Sequence, residues 1–390
     1  MRCADMIYLD NSATTPLCPE AKEAMLAAME CFGNPSSLHA NGVASANLLR
    51  ESRAAIGEAL GERFLADGQL IFTGSGTEAS ALAILGSARA KARRSASVIL
   101  TTDSEHPATA RNLELLEKEG FRIVKVSTRG GVLDMNTVLA HCNKDLFMVS
   151  MMLVNNETGA IYPVSDVFAA AKRANPMCIC HCDAVQGFLK VPMTVKSLGA
   201  DLITVSAHKI HGPKGVGALY VVQRLLKERA LVPVYGGGGQ EYGFRSGTEN
   251  LIGAAGFAAA CRVANAKKAE AFSHTGALSA RLIKALEGSE IRVNLPQKRA
   301  PHIVNITLPD IKSETMLHFL SGKGIAVSAG SACSSRAAAP SGALIAFGLP
   351  AKEADCSLRI SFSRENTEAE VDALSAALFE GLEKLVRIHH

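Results

Sequence analysis

Leu202-Ile203-Thr204-Val205-Ser206-Ala207-His208-Lys209 reads as a short strand that stops at a small polar turn and a lysine. Apolar and β-branched residues in a row, with no alternating polar face, suit a strand covered on both sides. Such runs recur upstream at Leu70-Ile71-Phe72, Ser97 to Leu100, Phe121 to Val126, Phe147-Met148-Val149 and Met177 to Cys182. Helical stretches separate most of them, which predicts an α/β fold with a mainly parallel sheet. Ligands of such sheets sit beyond the carboxyl ends of the strands, so the residues that follow these runs are the candidates for chemistry.

Outward from this core, Pro19-Glu20 opens an alanine-rich helix that stops near Gly33-Asn34-Pro35, and Asn41 to Gly61 reads as a second helix. The pattern changes after Gly236-Gly237-Gly238-Gly239. A long helix from about Asn250 to Glu270 leads into mixed strands and helices, ending in a helix over Thr367 to Val386. This second part predicts a smaller α+β domain.

The chain has 390 residues, 48% of them hydrophobic, so a large core is available and disorder is excluded. Lys and Arg number 41 against 37 Asp and Glu, a net charge of +4 without a basic stripe; nucleic acid is not a favoured partner. No apolar run approaches the roughly 18 residues of a membrane span, and Met1 to Met6 lacks a signal core. The ten cysteines are therefore expected as reduced thiols in a cytoplasmic protein.

Four segments follow strand-like runs. Phe72-Thr73-Gly74-Ser75-Gly76-Thr77-Glu78 is a glycine turn before a helix, suited to a phosphate; Gly74-x-Gly76-x-x-Ala79 also fits a dinucleotide fingerprint with Asp103 as ribose partner. A capped tight turn reads equally well. Lys209, partly desolvated at a strand's end, is a candidate Schiff-base amine, the alternative being a lysine that reaches solvent. Asp183 precedes it by 26 residues and could pair with a protonated ring nitrogen, the acid and amine that pyridoxal phosphate requires; a helix cap competes. Cys333, within Ser328-Ala329-Gly330-Ser331-Ala332-Cys333-Ser334-Ser335, suits a reachable nucleophile with Arg336 close by. Cys178, Cys180 and Cys182 beside His181 lack zinc-turn spacing, and buried structural cysteines are the better account.

In this order the segments resemble the cysteine desulfurases of the NifS/IscS type, of the class V aminotransferase-like, pyridoxal-phosphate-dependent fold type I. Further motifs join the likeness. They are Tyr8 to Thr15, Gly33 to Ser37 before His39, Glu105-His106, Val154-Asn155-Asn156-Glu157-Thr158-Gly159, Gln186, Arg245-Ser246-Gly247-Thr248, and Arg359 within Ser357 to Ser361. The resemblance implies a seven-stranded-type sheet in a large domain over 15–260. It also implies a small domain of 1–14 with 261–390 that carries the cysteine loop.

It further implies a Schiff base of pyridoxal 5′-phosphate on Lys209. The phosphate would be held by Gly76, Thr77, Ser206 and His208, with Thr248 reaching in from the partner of a homodimer. His106 would stack on the ring and take part in catalysis, Asp183 would pair with the ring nitrogen, and Gln186 would contact the ring hydroxyl. Asn156 would serve the cofactor and, with Arg359, the substrate carboxylate.

L-cysteine would become L-alanine, its sulfur passing to Cys333 as a persulfide for an acceptor protein of iron–sulfur assembly or tRNA thiolation. The alternative is a selenocysteine lyase, or another lyase or aminotransferase of the same fold. From other classes, a nicotinamide-dependent oxidoreductase and a catalytically silent sulfur carrier compete.

Overall fold

The computed structural model describes residues 6–90, 97–329 and 340–387. In chain order its strands are β1 (Ile7–Tyr8), β2 (Leu70–Thr73), β3 (Val98–Thr102), β4 (Arg122–Val126), β5 (Leu146–Met152) and β6 (Ile179–Asp183). They continue with β7 (Leu202–Ser206), β8 (Gly217–Val221), β9 (Arg292–Asn294), β10 (Ile303–Thr307), β11 (Ile325–Ala326) and β12 (Ser357–Ser361). Seven form one sheet in the order β2-β8-β7-β6-β5-β3-β4. The pairs from β7 across to β4 are parallel, whereas β8 runs antiparallel to both β2 and β7.

All the expected apolar runs lie in this sheet as β2 to β7. β8 is an addition: Gly217-Ala218-Leu219-Tyr220-Val221 is buried throughout, between β2 and β7. Its reversal carries weight for the site, because Gly217 at its start lies at the carboxyl edge, paired with Thr73 on one side and Ser206 on the other.

Helices cover the sheet for reasons visible in their composition. In Val164–Ala174 the buried Val164, Val167, Phe168 and Ala171 recur at helical spacing, with Asp166 in the first turn and Lys172 and Arg173 in the last. That arrangement satisfies both the apolar face and the helix dipole. Burial of each large side chain contributes about 1.5–3 kcal/mol. Lys172 then anchors the helix end, donating to Asp201 Oδ2 at 2.5 Å and to the Cys178 carbonyl at 2.6 Å.

A second core forms around the antiparallel sheet β12-β10-β9, where Val304, Ile306, Leu358 and Ile360 meet Leu9 from the start of the chain. The helix Leu251–Leu286 serves both cores and is longer than the stretch to Glu270 expected from sequence. Its first half packs on the helices Pro19–Met29 and Ala40–Ala59. Leu278, Leu282 and Leu286, four residues apart, then present an apolar stripe to the second core. That burial carries the helix through Ser273-His274-Thr275-Gly276, a segment of weak helix formers.

Candidate active site

The carboxyl edge of the large sheet gathers the residues singled out above. Asp183 ends β6, in register with Met152 of β5 and Thr204 of β7. Lys209 follows β7 by one turn, over Ala207–Lys209. Its Nζ donates to the carbonyls of Ser12 at 2.5 Å and Ala13 at 2.8 Å, so the Tyr8-to-Thr15 segment closes over the lysine. Thr15 fixes that segment: its N–H and its hydroxyl both donate to the His208 carbonyl at 2.9 Å.

Asp183 is buried, and its Oδ1 accepts the Val185 N–H at 3.0 Å. Burial raises its pKa, while His106 and Lys209 pull it back. His106 caps the helix Pro107–Lys118, its Nδ1 accepting from the Ala108 N–H at 3.1 Å. The proton of the neutral ring is thereby assigned to Nε2. Burial lowers its pKa against the pull of Asp183, and Lys209 lowers it further.

The glycine turn after β2 is built for close approach. Ser75 caps the helix by accepting from the Glu78 N–H at 3.1 Å, which leaves the N–H groups of Gly76 and Thr77 without helical acceptors. A Cβ on Gly76 would sit 3.0 Å from Val185 Cγ2 and 3.4 Å from Ser206 Cβ. One on Gly217 would sit 2.6 Å from the Ser75 carbonyl carbon. Glu78 ties this turn to a distant motif: it accepts from the Gly74 N–H at 2.6 Å and from Arg245 Nε at 2.9 Å. Thr248, three residues beyond Arg245, is exposed. His208 is pushed down to about 4 by burial and by Lys209, and its Nδ1 lies 3.2 Å from Thr14 Oγ1.

Arg359 on β12 comes in from the second core. Its Nη1 donates to the Asn156 carbonyl at 3.0 Å and Nη2 to Asp10 Oδ1 at 2.7 Å, leaving buried Nε unpartnered. Asn155 shapes the turn beneath, its Oδ1 accepting from the N–H groups of Glu157 and Thr158 at 3.0 and 2.9 Å. Gln186 Nε2 donates to the Ser12 carbonyl at 2.9 Å, and its Oε1 accepts from Lys190 at 3.3 Å. Cys333 lies outside the described residues.

Three participants carried no assigned role in the sequence reading. Asp10 is the ion-pair partner of Arg359. Glu105 accepts from Thr102 Oγ1 at 2.7 Å and the Met152 N–H at 3.0 Å, its Oε2 buried without a partner. Lys190 is the third. Asp103, the ribose partner of the dinucleotide reading, is engaged by the Thr128 hydroxyl at 2.6 Å and N–H at 3.1 Å. Cys178, Cys180 and Cys182 are fully buried, and His181 between them bonds Ser150 Oγ at 2.8 Å and Thr204 Oγ1 at 3.0 Å.

The donor set fits pyridoxal 5′-phosphate. Asp183 is a buried acid whose charge is felt by His106 and Lys209, the Gly76 cradle leaves room only for backbone, and two helix N–H groups stand ready for an anion.

Residues 7–374 match the family model described as aminotransferase class-V. A cysteine desulfurase of Klebsiella pneumoniae is 37% identical over 380 residues, covering 95% of this chain and 91% of that protein. Cysteine desulfurase IscS 1 of Archaeoglobus fulgidus is 34% identical over 384 residues, covering 97% and 98%. A solved structure described as a NifS-like protein superposes with a TM-score of 0.90 at 32% identity, covering 97% of this chain and 100% of that one.

Proposed function

The chain belongs to the aminotransferase class-V family, and on that premise we propose that it is a cysteine desulfurase that releases L-alanine from L-cysteine and hands the sulfur on through Cys333. The observation that carries this reading is the buried Asp183 at the end of β6 with Lys209 beyond the adjacent β7.

Lys209 would hold pyridoxal 5′-phosphate covalently through its amine, with Asp183 on the ring nitrogen, His106 against the ring face and Gln186 at the ring hydroxyl. Gly76, Thr77, Ser206 and His208 would take the phosphate. The cofactor, when bound, supplies an electron sink for bond cleavage at Cα and at the Cβ–Sγ bond. Lys209 would also serve as the base for the Cα proton. Arg359 with Asn156 would orient the substrate carboxylate. The Cys333 thiolate attacks the substrate sulfur. The S–S bond of a persulfide forms while the Cβ–Sγ bond breaks with its electron pair on carbon, which takes a proton and leaves as alanine.

Thr248 is assigned to the phosphate of a partner protomer. Its exposure supports a homodimer, as do Phe32 and Leu38, which are 81% and 97% exposed. We divide the chain into 15–260 and the pair 1–14 with 261–390. A cytoplasmic site is supported by the eight cysteines of the described residues, all of them free thiols. The acceptor of the persulfide is assigned to a protein of iron–sulfur assembly or another sulfur-trafficking step.

The test compares alanine formation from L-cysteine, with a thiol reductant, in wild type and Cys333→Ala. Activity confined to wild type supports the persulfide route. Equal rates in both would move the reading to a lyase of the selenocysteine type, which has no need of the thiol.

A further inference from the structure

A cavity of about 60 Å³ lies against Lys209, and Asp183 does not line it. At roughly 10–15 Å³ for each water it has space for about four to six waters or ligand atoms of that size. Its nitrogen-bearing lining comes from Asn11, Lys190, Lys209, His211, His302 and Arg364, with hydroxyls from Thr15, Thr275 and Ser363, and none of Gly76, Thr77, His106, Asp183 or Ser206 contributes. Among the described residues no Asp or Glu lines it.

Two of these groups lack the partners that buried polar atoms normally find. His302 is 3% exposed, and neither ring nitrogen has a hydrogen-bond partner. Lys190 sits deep in the protein yet keeps some accessible surface, and among the described residues it donates to the neutral Gln186 Oε1 at 3.3 Å. Burial pushes its pKa down to about 7, and the like charges of Lys209 and Arg359 add to the effect. Arg364 is already paired through Nε with Glu365 at 2.8 Å, so part of its charge is spoken for. An ammonium with three donors, an unsatisfied imidazole and a guanidinium around a space of this size call for oxygen acceptors with negative charge. Phe272 and Phe362 add an apolar part to the lining.

We propose that this cavity is a second ligand site, taking a small oxyanion (a short carboxylate or an inorganic oxyanion) on Lys190 and His302. The occupant communicates with Lys209 through bonds already present: Lys190 to Gln186, Gln186 Nε2 to the Ser12 carbonyl, and Ser12 to Lys209 Nζ. Charge on the occupant stabilises the ammonium form of Lys190 and withdraws it from Gln186, which frees that amide to turn. The proposal concerns a site beside the one read as catalytic and stands whether or not the desulfurase reading does.

Calorimetric titration of the enzyme as isolated, with its cofactor, by sodium sulfate and by sodium propionate tests it. Sodium chloride holds ionic strength constant, and wild type, Lys190→Met, Lys190→Arg and Ser206→Ala are compared. One site per chain is expected for at least one of the two anions, which also identifies the source of the oxyanion. Lys190→Met should weaken it by about thirtyfold or more, while Lys190→Arg stays within a few-fold of wild type. Ser206→Ala should leave the affinity unchanged.

Thermal unfolding is the companion readout: the binding anion should raise the midpoint of wild type above that in chloride, and this needs no variant to fold. The proposal is overturned if neither anion binds or shifts the midpoint in wild type, or if Lys190→Met binds as tightly as wild type. It is equally overturned if Ser206→Ala alone abolishes the heat, since the anion would then occupy the phosphate cradle.

Discussion

Asp10 Oδ1 lies 2.7 Å from Arg359 Nη2, so the first segment of the chain and a strand 349 residues later share one ion pair. The neighbouring bridge between Asp10 and Ser361 holds the Asp10 backbone beside β12, and the Asn156 carbonyl accepts from the other terminal nitrogen of the guanidinium. Arg359 thus reaches the site with its plane already set and with Nε still to be satisfied.

The first prediction concerns that orientation. Asp10→Asn should raise KM for L-cysteine about tenfold with little change in kcat, because a charge-assisted bond that aims the guanidinium is weakened. Arg359→Lys, which loses the planar fork, should raise KM by roughly a hundredfold. Steady-state kinetics on both variants decides it; unchanged KM in the pair would remove Arg359 from carboxylate binding.

A second prediction follows from the reversed strand. Gly217→Ala would place a methyl against the Ser75 carbonyl and push the glycine turn away from Ser206. Cofactor affinity should fall by about tenfold or more, an amount that 1.4 kcal/mol of misplacement produces. Retention of bound cofactor through extended dialysis measures this. A variant that keeps its cofactor like wild type would show that the turn can yield.

Glu105 yields a third. Burial, with the Asp183 charge adding to it, pushes this carboxyl up to about 8, so it is protonated at neutral pH in the folded chain. An unfolded glutamate releases its proton near 4.5. Between these values the folded state binds more protons, and stability falls as pH rises, by about 1.4 kcal/mol per unit crossed. Glu105→Gln keeps the acceptor for Thr102 and Met152 and should flatten that slope. Melting temperatures from pH 5 to 8 are the measurement, and parallel slopes in wild type and variant would refute it.

His181 gives the opposite sign and a fourth prediction. Burial alone pushes its pKa down to about 3, so its contribution is complete above about 6.5 and is lost as pH falls toward 3. His181→Met should be less stable at pH 7 by about 1–3 kcal/mol for each hydroxyl left unpaired at Ser150 and Thr204. The gap should narrow by about 1.4 kcal/mol per unit below 6.5. Denaturant titrations at pH 7 and 5 would expose a constant gap, which this account does not allow.

The sheet was legible because its strands are buried on both faces and read as continuous apolar runs, from Leu70 to Val205. β8 was not, since Gly217-Ala218-Leu219-Tyr220-Val221 follows a glycine-rich turn and its direction is set by the register with β2 and β7. Lys209 and Asp183 stood out as charged groups just past such runs. Asp10, Glu105 and Lys190 did not, because what marks each is a partner, or the want of one, from another part of the chain. The far end of the helix Leu251–Leu286 was missed for a related reason. Its weak segment is sustained by packing of Leu278, Leu282 and Leu286, which only the tertiary structure supplies.

That helix has a mechanical consequence. Its 36 residues at 1.5 Å each make a rod about 54 Å long whose two halves are embedded in different cores. Melting either core would strip one half of its packing, and a half-unsupported helix transmits the loss to the other. Heat should therefore unfold both in a single cooperative endotherm, with calorimetric and van't Hoff enthalpies in agreement, where a hinged pair would give two.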